Sequence, residues 1–150
     1  MMGMKPSILI LGIGNPLRGD DGIGAYVCAQ LEELNTPRLS VQTTHQLHTE
    51  WIYTFQQYDA VLLIDASLSD QDVLIRPIST APASSSNLSH HMAASQVAAL
   101  TSLIVGSATR FFECAVPGDA FWLCDQLSEK GRMHADLAVA MITGWLDDFS

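Results

Sequence analysis

The chain has 150 residues, 48% of them hydrophobic, and a formal net charge of −9 from seven Lys+Arg against sixteen Asp+Glu. That length fits a single domain over residues 1–150 whose core needs no disulfide or metal staple, and the hydrophobic content excludes a disordered chain. The acidity argues against nucleic acid as a partner, because no local run of lysine or arginine offsets the repulsion from phosphates.

The N-terminal "MMGMKPSILI" carries one lysine and no apolar run long enough for a signal peptide, since Gly12 and Gly14 interrupt it. It reads as a short tail entering a core strand. "SILILGI" (7–13) is a nearly continuous apolar run ending at glycine, the pattern of a strand buried on both faces. Ile23, Val27, Leu31 and Leu34 then fall on one stripe, which predicts a helix stopped near Pro37. "LSVQTTH" (39–45) predicts a second strand, and "WIYTFQQY" (51–58) a helix. "AVLLIDA" (60–66) is another wholly apolar strand, closed by the lone carboxylate of Asp65. "VLIRPI" (73–78) contains Pro77 and suits a sheet edge.

Residues 79–89, "STAPASSSNLS", read as an exposed loop. Residues 90–106 read as a helix, 109–116 as a strand and 133–147 as a final helix. The stretch "MAASQVAALTSLIVG" is too short to span a bilayer, so no membrane contact is expected. Three cysteines, Cys28, Cys114 and Cys124, lack C-x-x-C spacing and read as buried thiols of a cytoplasmic protein. Alternating strands and helices imply an α/β fold: a single domain with a mostly parallel twisted sheet and helices on both faces.

In such sheets the site lies beyond the carboxyl ends of the strands. Asp20 and Asp21 follow the first strand, Asp65 closes the strand at 60–66, and His90 opens the helix after the serine-rich loop. These residues are therefore expected in one crevice. The glycine-rich "LGIGNPLRGDDGIG" (11–24) is a poor phosphate loop. Leu17 stands where a dinucleotide fingerprint has its third glycine, and Asp20–Asp21 stand where a P-loop has its lysine and hydroxyl residue. Two carboxylates at a helix start repel phosphate and suit a cation.

An aspartate before a helix is commonly its N-cap, so Asp20 is expected to cap and Asp21 to be free for chemistry. Asp65 is costly at the end of an apolar strand unless paired or liganded. His91 points about a third of a turn away from His90, so one of the two is expected to face the crevice. Two carboxylates and an imidazole form a ligand set for a first-row divalent metal such as nickel, zinc or manganese. No G-x-S-x-G elbow is present, and no cysteine lies in a recognisable motif with His90.

The segment "GIGNPLRGDDGIG" resembles the N-terminal signature of the hydrogenase maturation endopeptidases, G-x-G-N-x-L-x-x-D-[DE]-x-x-G. "LLIDAS" resembles their second acidic motif and "LSHHMAASQVAAL" their histidine motif, in the same order, over residues 8–145. The resemblance implies a protease that removes a short C-terminal peptide from the large-subunit precursor of a nickel–iron hydrogenase after nickel insertion. Asp21, Asp65 and His90 are then the catalytic, metal-contacting residues, and the nickel arrives with the precursor. The resemblance further implies no bound nucleotide, and a monomer is expected. Asp21 or Asp20 is a candidate to activate water. "HQLHTE" (45–50), "SHH" (89–91) and "VPGDAFWLCDQLS" (116–128) resemble the subgroup serving bidirectional, NAD-linked hydrogenases, although Thr49 replaces its proline and Cys124 stands near a frequent glycine. His45, Gln46 and Glu50 read equally well as a polar loop capping the next helix. Two other classes fit the same residues: a nickel-binding chaperone or scaffold that cuts nothing, and, least well, a nucleotide-binding domain.

Overall fold

A computed structural model describes residues 6–79, 97–99, 101, 106 and 108–149. Five strands form one sheet: β1 (Ile8–Ile13), β2 (Leu39–Thr44), β3 (Ala60–Ser67), β4 (Leu74–Ile78) and β5 (Arg110–Pro117). Their spatial order is β2-β1-β3-β5-β4. The first three pairings are parallel, and β4 runs antiparallel to β5 at the edge. Pro77 lies on β4 opposite Phe112, where one flank of the strand has no ladder to interrupt.

Alternation along the buried strands divides the core in two. Ile8, Ile10, Leu62, Ile64, Cys114 and Val116 face one side, with α1 (Ile23–Glu32) and α3 (Glu129–Phe149) packed over them. Leu9, Leu11, Val61, Leu63 and Phe111 face the other, covered by the single-turn α2 (Trp51–Phe55) and by helical residues at 97–99 and 101. Both faces of β1 and β3 are therefore dry, as their unbroken apolar sequences require. Tyr26 ties α1 to α3 through a 2.6 Å hydrogen bond from its hydroxyl to Asp136.

Three expectations need correction. Leu34 does not extend the α1 stripe: the helix ends at Glu32, Asn35 turns the chain at φ 46, and Leu34 is left exposed. The helix expected over 51–58 stops at Phe55; Ile52 and Phe55 are its buried residues. The final helix starts four residues before the expected 133, at Glu129. The loop at 79–89 and most of the helix at 90–106 lie outside the described residues, apart from Ser79, the helical positions noted above and Gly106, which has φ 62 and is not helical. No helix among the described residues is long and apolar enough to cross a membrane.

Candidate functional site

The loop after β1 is shaped by its own side chains. Gly14 holds φ 136, and a Cβ there would run into the backbone carbonyl of Asp21. Asn15 accepts a 2.9 Å hydrogen bond from the Leu17 N–H, and the Arg18 N–H closes a turn on the Asn15 carbonyl at 3.0 Å around Pro16. The loop then enters a short 3₁₀ helix (Gly19–Gly22) that carries both aspartates into α1. The Asn15 N–H donates to Asp21 Oδ2 at 2.8 Å. One backbone N–H of this loop is thus held by a carboxylate, and the negative charge at that place is unfavourable to a phosphate.

Asp21 and Asp65 line one open cleft of ≈ 460 Å³ at the carboxyl ends of the strands, together with Asn15, Arg18, His45 and Phe121. Of the four residues expected in one crevice, Asp21 and Asp65 share this cleft. Asp65 has solvent at its surface and lines the cleft wall. Burial there, reinforced by the charge of Asp21, pushes its carboxyl up to about 7. The two carboxylates present hard oxygen donors to one cleft, and a divalent metal fits that donor chemistry.

Asp20 does something else. It makes no cap hydrogen bond to its own helix and is fully buried, pointing away from the cleft into the connection after β5. Its Oδ2 accepts from the N–H of Asp119 (2.7 Å) and of Ala120 (3.0 Å) and from the Ser128 hydroxyl (2.6 Å), and its Oδ1 accepts from the Ser128 N–H (2.8 Å). Burial pushes this carboxyl upward, but the Ser128 hydroxyl and the three backbone donors outweigh it and hold the group below its ordinary value. The expected N-cap role is therefore overturned, and so is the candidacy of Asp20 to activate water, because the carboxylate is fully buried and bonded outside the cleft.

His90 and His91 lie outside the described residues. Among the described residues no group of three His, Cys, Asp or Glu side chains is arranged to hold a metal. His45 and Gln46 line the cleft, whereas His48 and Glu50 line a separate hollow beside Trp51, and Glu50 makes no side-chain cap to α2. Topology carries His45 and Gln46 to the cleft: β2 pairs in parallel with β1, so both strands end at the same edge. Cys28 and Cys114 are buried, and burial pushes both thiols up to about 12, which makes them inert as nucleophiles. Cys124 is exposed, contrary to expectation, because it sits in the surface connection after β5.

No protein-family model and no curated protein matches the sequence. Solved structures do match the fold. A [NiFe] hydrogenase maturation protease, HycI, from Thermococcus kodakarensis KOD1 is similar at 23% identity and TM-score 0.73, over 94% of this chain and 92% of that one. The hydrogenase maturating endopeptidase HybD from E. coli is similar at 19% identity and TM-score 0.74, over 95% and 93%. An endopeptidase from Escherichia coli reaches TM-score 0.77 at 19% identity, over 95% and 93%. The chain therefore has the α/β fold of the hydrogenase maturation proteases, nearly end to end.

Proposed function

We propose that this protein is a hydrogenase maturation endopeptidase, which removes a short C-terminal peptide from a nickel-loaded hydrogenase large-subunit precursor. The observation that carries the reading is the pairing of Asp21 and Asp65 across one open cleft in a chain with this fold. Three sequence motifs support it from a separate direction, since they occur in the order of that family and two of them supply these carboxylates.

In this reading the nickel is part of the substrate. Asp21 and Asp65 contact it, His90 is the third ligand, and the precursor's scissile bond is thereby brought to the cleft. The cleft is open, as a site for a folded protein's tail has to be. The Asn15 N–H fixes the rotamer of Asp21 in advance, so little reorganisation remains when substrate arrives. Asp65, at about 7, must lose its proton to solvent before it can ligate a cation, so engagement of the loaded precursor strengthens as pH rises through neutrality. His45 and Gln46 at the cleft support the finer reading that the precursor belongs to a bidirectional, NAD-linked hydrogenase. A cytoplasmic location and a monomeric state complete the same proposal.

The test is processing by variants. Asp21→Asn and Asp65→Asn each remove one anionic ligand and keep the shape, so each is expected to lower the cleavage rate of loaded precursor by about 100-fold or more. Wild-type cleavage by either variant, measured by intact mass, would remove that residue from the site. A wild-type protein that binds the precursor and leaves its mass unchanged would favour a scaffold instead.

A further inference from the structure

Asp20 is adjacent to a proposed metal-contacting residue yet faces the opposite way, and its hydrogen bonds define what it does. Its two oxygens accept from Asp119, Ala120 and Ser128, about 100 residues away in sequence. The Ser128 hydroxyl also accepts a 2.9 Å bond from the Gly131 N–H, which caps the first turn of α3. Backbone bonds extend the same seam. The Asp20 N–H donates to Ala120 (2.7 Å), the Gly19 N–H to Cys124 (2.8 Å), and the Cys124 N–H to Leu17 (3.0 Å). On the far side, the Gly118 N–H donates to Ser67, two residues beyond Asp65.

The connection at 118–128 is thus stitched to both loops that carry the cleft carboxylates, and it contributes Phe121 to the cleft wall. The fit is close: a Cβ at Gly131 would collide with the Asp20 carboxylate, and one at Gly118 would lie 3.1 Å from the Asp20 Cβ. We propose that Asp20 is a positioning residue for the proteolytic reaction, clamping the 118–128 connection so that Asp21, Asp65 and Phe121 face one cleft at fixed separation. The inference rests on the proteolytic reading of that cleft. Asp20 itself touches neither substrate nor metal.

The experiment compares wild type, Asp20→Asn and Ser128→Ala. Amide hydrogen exchange reports the clamp without reference to activity, and single-turnover cleavage of nickel-loaded precursor reports the reaction. In Asp20→Asn the amides of residues 119, 120 and 128 should exchange about 10-fold faster or more while those of β1 and β3 do not change. The single-turnover rate, corrected for folded fraction, should fall about 10-fold or more, with precursor affinity within about threefold of wild type. Ser128→Ala, which keeps the backbone donors, should show the same pattern at smaller amplitude, and it decides the matter if Asp20→Asn does not fold. A loosened clamp with an unchanged rate in either folded variant overturns the positioning role. A wild type that cuts no precursor overturns the proteolytic reading, and this role with it, whatever the exchange data show.

Discussion

Asp20 and Asp21 are chain neighbours with opposite fates, and the difference is one of donors. Four donors converge on Asp20 and make its buried charge tolerable; Asp21 meets one backbone N–H and keeps the rest of its lone pairs for the cleft. Asp65 meets the reverse condition, burial and a like charge, and the result is a carboxyl near 7 against an ordinary 3.8. Between those values the folded protein binds a proton at Asp65 that the unfolded chain has lost. Stability therefore falls as pH rises from about 4 to 7, and the deficit persists above 7. Asp65→Asn should then raise the melting temperature at pH 8 and leave it nearly unchanged at pH 3.5, while abolishing processing. A variant no more stable than wild type at pH 8 would contradict the strain assigned to Asp65. Such an exchange of stability for a reactive group is common at functional sites.

At the scale of elements, the strands were legible in the sequence and the helix ends were not. β1 and the first five residues of β3 are apolar without interruption, which burial on both faces accounts for, and Pro77 marked β4 as an edge. The start of α3 depends on Ser128, whose position is set by Asp20 across 108 residues, information no local window contains. The same distance explains why Asp20 was misread as a helix cap. The convergence of Asp21 and Asp65 could be inferred because both follow parallel strands, whereas His45 reached the cleft through the pairing of β2 with β1. Two glycines of α3 give a check on this packing. Ala normally stabilises a helix over Gly by about 0.5–1 kcal/mol. Gly144 has open space around it, so Gly144→Ala should raise the melting temperature by a few degrees, whereas Gly131→Ala should lower it through its collision with Asp20. A Gly131→Ala variant that melts no lower than wild type would contradict the clamp.

For the whole molecule, central strands dry on both faces leave their carboxyl ends as the place where polar groups can gather, and the described carboxylates of the cleft gather there. The central claim is that this edge cuts a precursor when that precursor carries nickel. The most direct measurement is intact-mass spectrometry of a nickel–iron hydrogenase large-subunit precursor, nickel-loaded and nickel-free, each incubated with this protein. Loss of a short C-terminal peptide from the loaded form alone is the predicted result. Cleavage of both forms alike would contradict the use of substrate nickel, and an unchanged mass for a loaded precursor that binds the protein would contradict the protease itself.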